Sequence, residues 1–187
     1  MRELTVDLFC TVDGWLRGRD SPAYFGYDGP DLRAWIDEHV ARPQVMLMGS
    51  NTYKALIQYT DGDDPASKRM DELPKVVFSK SLRPPLTWRN TTLVAEDVAA
   101  AVPAMKDEPG DPLRVIGSPT LVRNLFRLGL VDRLRLMVFP QVLGESGVER
   151  MLEGLPDVNL RLASAEVLDK RLVLLDYKLD STATSPA

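Results

Sequence analysis

Two stretches of this chain read alike: Val45-Met46-Leu47-Met48-Gly49-Ser50-Asn51-Thr52-Tyr53 and Leu113-Arg114-Val115-Ile116-Gly117-Ser118-Pro119-Thr120-Leu121. Each is a short, mostly apolar run that ends in Gly-Ser, one further residue and Thr. Such a run bounded by glycine predicts a buried strand. Ser118 is a natural N-cap and Pro119 a natural first helical residue, so the second stretch predicts strand, turn, helix. The first predicts the same, with a short helix to about residue 57. Glycine at the turn lets another group approach the backbone closely. The unpaired N–H groups of each following helix form an anion site, to which the Ser and Thr hydroxyls add donors. Ligands of open α/β sheets sit at the carboxyl ends of the strands. Two such junctions on one sheet suit a ligand with two anionic segments, such as a dinucleotide pyrophosphate.

A third junction adds charge. Phe78 ends an apolar run over residues 75–78, and Ser79, Lys80, Ser81 and Arg83 follow. Hydroxyls and cations at that edge suit the extra phosphate that distinguishes NADP from NAD. One Gly-Ser before a helix is only a cap. Two of them, together with Ser79-Lys80-Ser81, favour nucleotide binding. The G-x-G-x-x-G and G-x-x-x-x-G-K-[ST] patterns are both absent, so the site is of another kind.

Outward from these junctions, strands alternate with helices. Residues 4–10 alternate apolar and polar, as a strand does. Residues 11–29 are polar and rich in Gly and Asp. Pro30 opens a helix that Pro43 closes. Residues 60–66 read as a solvated acidic loop, and residues 92–94 as a brief strand. Glu96 and Asp97 open a helix that Pro103 should kink or end. The helix after Ser118 runs to Leu128, with Gly129 as its stop. Leu134, Leu136 and Val138 alternate as a strand, and residues 140–147 form a loop. Residues 159–168 and 171–179 pair as a hairpin through Asp169-Lys170, and residues 181–187 are a polar tail expected to be disordered. The pattern predicts an α/β fold, a mostly parallel sheet with helices on both faces and a C-terminal antiparallel hairpin. Residues 1–180 read as a single domain.

Composition narrows the chemistry. The 187 residues are 44% hydrophobic and 27% charged, with a net charge of −4, as soluble globular domains are. No stretch gathers the basic residues, which argues against nucleic acid. One cysteine, Cys10, cannot form an internal disulfide, and with one histidine, His39, a structural zinc site is nearly excluded. No metal site is signalled, although carboxylates could still hold Mg²⁺. A nucleophile–histidine device would have to use His39. His39 instead reads as a histidine in a last helical turn, where the helix dipole favours its charge. Cys10 reads as a small core residue. The N-terminus carries acids where a signal peptide needs an apolar run. Apolar runs such as residues 45–48 and 172–175 are far short of the ~20 residues of a membrane span. The expected location is the cytoplasm.

The junction residues, with Thr11-Val12-Asp13-Gly14 and Val76-Val77-Phe78-Ser79-Lys80, resemble the dihydrofolate reductase superfamily. Residues 129–136, then Pro140-Gln141-Val142-Leu143-Gly144, are similar more narrowly to the reductase domain of riboflavin biosynthesis, the RibD-like C-terminal type. The likeness covers roughly residues 3 to 179, in matching order. It implies a dihydrofolate-reductase-like fold with an eight-stranded sheet, an NADPH site and a homodimer. By that resemblance Gly49, Ser50, Asn51 and Thr52 approach the cofactor phosphates. Ser79 and Lys80, with Ser81, lie near the adenosine 2′-phosphate. Gly117, Ser118, Thr120 and Leu121 pack near the pyrophosphate and nicotinamide.

On the substrate side, dihydrofolate reductases place a carboxylate at the start of the helix after the first loop. Pro30-Asp31-Leu32 with Trp35 resembles that segment, which makes Asp31 the first choice for substrate binding and proton relay. An acid also simply suits a first helical turn. Asp13 is a second candidate, although Asp-Gly is first of all a turn. Riboflavin-pathway reductases commonly carry a basic residue after that Asp-Gly, where this chain has Trp15. Trp15, Tyr24, Phe25 and Tyr27 read as an aromatic mouth for a flat heterocycle, or as ordinary loop anchors. Leu134, Leu136 and Val138 serve either a dimer interface or a core strand. The resulting expectation is an NADPH-dependent reductase of a pteridine-like or pyrimidine-like heterocycle. Its rivals are a non-catalytic nucleotide- or flavin-binding protein of the same fold, and a structural protein whose loops only cap helices.

Overall fold

The apolar runs become strands in a computed structural model that describes residues 1–59 and 65–179. In chain order the elements are β1 (Leu4–Thr11), β2 (Trp15–Gly18), α1 (Pro30–Ala41), β3 (Val45–Gly49), α2 (Ser50–Leu56), α3 (Pro65–Glu72), β4 (Lys75–Phe78), β5 (Thr91–Val94), α4 (Val98–Asp107), β6 (Leu113–Ile116), α5 (Pro119–Arg127), β7 (Arg133–Phe139), β8 (Gly147–Arg150), β9 (Leu160–Leu168) and β10 (Leu172–Leu179). Eight strands form one sheet in the order β5-β4-β3-β6-β1-β7-β10-β9. The pairs from β5 through β7 are parallel, and β10 runs antiparallel to both β7 and β9. This is the expected α/β architecture with its terminal antiparallel hairpin. Asp169 and Lys170 turn that hairpin, both at positive φ.

The period of two along β1 divides the core. Leu4, Val6 and Leu8 face one side, where they pack with Val102 of α4 and with Val122, Leu125 and Phe126 of α5. Burying each such side chain fully is worth roughly 1.5–3 kcal/mol. On the other side Met137 and Phe139 of β7 meet Leu32 and Trp35 of α1, while Met46 and Met48 of β3 meet Val40. Helices therefore cover both faces.

The structure bears on the sequence expectations at four places. Residues 11–29 contain β2, which pairs antiparallel with β8 as a second small sheet, and β8 begins where a loop was expected. Of the expected acidic loop and tail, residues 60–64 and 181–187 lie outside the described residues, and Pro65 begins α3. Pro103 sits inside α4 without ending it. Its missing N–H forfeits one helical bond, but Val102 is fully buried and Lys106 donates to the Leu130 carbonyl at 2.9 Å and to Asp132 at 2.6 Å. Those anchors carry the helix past the proline. Finally, Leu134 and Leu136 are buried, on a strand flanked by β1 and β10. They serve the core and offer no surface to a second copy.

One buried charge ties α3 to the sheet. Lys75 opens β4, and its ammonium donates to the carbonyls of Met70, Asp71 and Leu73 at 2.8, 3.0 and 2.7 Å. It thereby closes the C-terminus of α3, the end where a cation is favoured. Burial lowers its pKa to about 8. Lys75→Met leaves three carbonyls without that donor, and is expected to cost about 3 kcal/mol in urea unfolding.

Candidate functional site

The two look-alike junctions meet. β3 and β6 are neighbours with Leu47 opposite Val115, so the Gly-Ser turns lie side by side. Ser118 adopts φ 58°, in the left-handed region, and its side chain does not cap α5. Instead its hydroxyl donates to Thr52 Oγ1 at 2.6 Å and accepts from the Gly49 N–H at 2.5 Å. The expected cap is corrected by a cross-strand bond. Gly49 is required by closeness, since a Cβ there would stand 3.0 Å from Ser118 Oγ. Gly117 is required by its φ of +66°.

The third junction adjoins them. Gly49 pairs with Phe78, so Ser79 starts at the same edge. Ser79 Oγ accepts from the N–H groups of Ser81 and Leu82 at 3.2 and 3.1 Å. Arg83 is spent on the Lys80 and Leu82 carbonyls at 3.0 and 2.9 Å. The Lys80 side chain is exposed. Ser50, Asn51 and Thr52 open α2, and Thr120 and Leu121 open α5. The Leu121 side chain is buried in the core, which leaves its backbone N–H as what it can offer a ligand.

Beside these turns runs a cleft of about 790 Å³, bounded by α1, α3 and the sheet. Thr52, Ile116, Gly117 and Pro119 line it from the junction side. Ile36, Val40, Met46 and Met70 make apolar walls. Leu16 and Tyr24 also line it, and Asp7, Asp37 and Arg114 bring charge. Arg17 lies 3.5 Å from Glu149, and Arg33 is bonded to Asp28. An apolar cleft with few polar groups beside helix N-termini can hold a flat ring and an anionic tail together.

The expected substrate residues go elsewhere. Asp31 is exposed and does not line the cleft. Its carboxylate accepts from the Asp169 N–H at 2.7 Å, while Asp169 accepts from the N–H groups of Asp31 and Leu32 at 2.8 and 3.1 Å. The pair ties the start of α1 to the hairpin turn. Asp13 accepts from Thr11 Oγ1 at 2.6 Å and the Gly144 N–H at 2.8 Å, which lowers its pKa to about 2. It fastens the loop before β8. Trp15 lies under the Arg150 guanidinium, 4.0 Å from the ring centre. Of the four mouth aromatics, Tyr24 lines the cleft, whereas Phe25 and Tyr27 pack on Phe139.

His39 occupies the last turn of α1 as expected, but uncharged. It stacks on Trp35 at 4.0 Å, its Nδ1 is 2.7 Å from the Trp35 carbonyl, and burial lowers its pKa to about 4. The dipole rationale gives way to desolvation. Cys10 is buried, and its thiol is pushed up to about 11. The sequence reading missed Asp7, Asp37 and Arg114. The signal was there for two of them, a charged residue at an inward position of a buried strand.

Residues 2–174 match the RibD C-terminal domain. The chain belongs to that family. An uncharacterized Bacillus subtilis protein, YyaP, is 25% identical over 182 residues, 94% of each chain. A crystal structure of a putative riboflavin biosynthesis protein from Shewanella sp. PV-4 superposes with a TM-score of 0.72 at 18% identity, over 96% of this chain and 99% of that one. A pyrimidine reductase-like protein from Corynebacterium diphtheriae superposes with a TM-score of 0.68 at 13% identity, over 97% and 93%. At those identities the superpositions show the fold, which is the reductase-like one of this RibD family.

Two measurements probe the site's frame. Ser118→Ala removes both arms of the cross-strand bond, and is expected to cost about 1–2 kcal/mol in chemical denaturation. His39 is held neutral when folded, so the unfolded chain takes up its proton first. Stability should fall as pH drops from about 6.5 to about 4. His39→Gln should flatten that part of the pH–stability curve.

Proposed function

We propose that the chain is an NADPH-dependent reductase of a pteridine-like or pyrimidine-like heterocycle. The observation that carries this reading is the meeting of the Gly49–Thr52 and Gly117–Ser118 turns at the side of a deep apolar cleft. The donor set fits the cofactor. N–H groups at the starts of α2 and α5 and the Thr52 hydroxyl suit a pyrophosphate, and the two glycines keep Cβ atoms out of its way. Ser79, Lys80 and Ser81 suit a 2′-phosphate one strand further along. RibD family membership and the likeness to a riboflavin biosynthesis protein and a pyrimidine reductase-like protein support the same class.

NADPH, when bound, supplies a hydride. The chain's own part is to bind, orient and dry the site. The Thr52 hydroxyl and the helix N-termini would fix the cofactor phosphates, with Ser118 holding Thr52 in place. Ile36, Val40, Met46 and Met70 would exclude water from the substrate ring. The Asp31 carboxylate is spent on the Asp169 N–H of the hairpin turn, so Asp31→Asn is expected to leave turnover unchanged.

The homodimer and the cytoplasmic location belong to the same proposal. Leu162 and Val167 on the outer strand β9, 53% and 68% exposed, support self-association. Light scattering tests the dimer.

Titration of NADPH against the protein's fluorescence tests the cofactor. Micromolar binding is expected, and none sinks the reading. Lys80→Ala should weaken NADPH about tenfold and NADH far less, the effect of one charge-assisted bond to the 2′-phosphate. NADPH binding without oxidation across pterins, flavins and pyrimidines would favour the non-catalytic alternative.

A further inference from the structure

A second, polar pocket of about 210 Å³ lies along the other flank of α1. Asp37 and Val40 line the cleft, whereas Glu38 and His39 line this pocket, and the two spaces share only Trp35. Its sheet side is formed by Arg135, Asp176, Ser164 and Glu166. Strand register explains the grouping. Asp176 of β10 lies opposite Arg135 of β7 and opposite Ser164 of β9, and Leu174 lies opposite Glu166. The period of two puts all of these on the face that carries α1.

Most charged atoms around the pocket are committed. Arg133 takes Asp176 at 2.7 and 2.5 Å, Arg135 takes Asp7 at 2.6 and 2.9 Å, and Arg42 donates to Glu38. Asp7 with Arg114 and Arg135 leaves one positive charge, which the negative charge of Arg133, Asp176 and Glu3 together offsets. His39 Nε2, Arg135 Nη1 and Glu166 are not committed. His39 is 7% exposed and uncharged, and its Nδ1 is 2.7 Å from the Trp35 carbonyl. A carbonyl only accepts, so Nδ1 carries the hydrogen and Nε2 the lone pair. Nε2 has no partner among the described residues, nor has Arg135 Nη1, since the other two guanidinium nitrogens hold Asp7. Neither nitrogen is fully buried, because Arg123 Nε is the one fully buried side-chain polar atom without a partner among the described residues. Both residues line this pocket and not the cleft, so it is here that the two atoms open. Glu166 makes no hydrogen bond or ion pair among the described residues.

We propose that this pocket binds a small zwitterion of the amino-acid type, its carboxylate on Arg135 Nη1 and its ammonium between Glu166 and His39 Nε2. A simple anion would meet the Glu166 charge and the His39 lone pair. A simple cation would meet the guanidiniums of Arg135, Arg114 and Arg42, whose charges act on His39. A zwitterion gives each uncommitted group its opposite, through charge-assisted bonds about twice as strong as neutral ones. The Ser164 hydroxyl serves either end, as both donor and acceptor. Arg135 and Glu166 stand on β7 and β9, two strands and roughly 10 Å apart at the backbone. The distance between the two charges of the ligand is therefore part of the fit. Because the cleft and the pocket share only Trp35, the proposal is independent of the reductase reading.

The chain has one histidine, so the imidazole nitrogen resonances of the isotope-labelled protein report on this pocket alone. The test is a titration at neutral pH, followed by those resonances, with glycine, β-alanine and γ-aminobutyrate, which space the two charges differently. At least one is expected to saturate at millimolar concentration, shifting Nε2 and leaving Nδ1 protonated. The matched carboxylate and amine, butyrate and butylamine in the case of γ-aminobutyrate, each keep one charge. Each should bind at least about tenfold more weakly, the worth of roughly one charge-assisted bond. Glu166→Gln, at an exposed position of β9, should weaken the zwitterion by about the same factor. If that variant does not fold, the wild-type ratios decide. No saturation by any of the three, a carboxylate or amine that binds as tightly as the zwitterion, an unmoved Nε2 resonance, or undiminished binding by Glu166→Gln would each overturn the proposal.

Discussion

The hydroxyl of Ser118 bonds the Gly49 N–H and the Thr52 hydroxyl at once, and the geometry of the candidate site follows from that bond. Parallel pairing sets β3 and β6 side by side, but it stops at the last paired residue. Beyond that point each chain is free to leave the sheet in its own direction. Ser118 removes that freedom by fastening one turn to the other. The cost is a non-glycine residue at φ 58°, together with a helix that lacks a side-chain cap. Both costs fall at one position, where the two Gly-Ser turns are fastened to each other. Thr52 keeps its own hydroxyl hydrogen for a further acceptor, because it is the acceptor from Ser118.

The buried charges under Trp35 impose a second constraint. Charges cost several kcal/mol each to bury, and packed apolar side chains often do the structural job better. Arg114 and Arg135 do have a local use, however. Arg114 bonds the last carbonyls' neighbourhood of α1 through His39 and Gln44, and both guanidiniums sit against the Trp35 ring of that helix. They fix the helix that walls the cleft.

Period-two and Gly-Ser patterns made most of the sheet legible. Every long alternating run became a strand, and both look-alike turns sit where ligands of α/β sheets bind. The small sheet of β2 and β8 was not legible, because its residues, such as Trp15 and Glu149, alternate too briefly to show a period. The site was legible only in part. A strand–turn–helix junction is local in sequence, so the Gly49–Thr52 turn could be found by reading. The cleft is built from residues such as Asp7, Asp37 and Arg114 that sequence separates and packing unites. Asp31 shows the converse. An acid in a first helical turn looks the same whether it faces a ligand or a hairpin, and here the partner is Asp169, 138 residues away.

That partner bears on how the cleft works. α1 is clamped at both ends. Asp31 and Asp169 hold its start, and Gln44 with Arg114 holds the His39 carbonyl near its end. Leu32, Trp35 and Val40 bury its inner face. The facing wall is different, because α3 has no fully buried residue and is held largely by polar ties, from Lys75, Trp88 and Asn90 near its C-terminus. Elements with few buried contacts open at lower free energy than those packed into the core. A ligand entering this cleft therefore meets one fixed wall and one yielding wall. The firmly held wall carries Asp37 and backs onto Arg114. The yielding wall contributes Met70 and Ala66, whose apolar side chains need only close over a ring. The two helices thus differ in how firmly they are held, and the difference falls across the cleft that they bound.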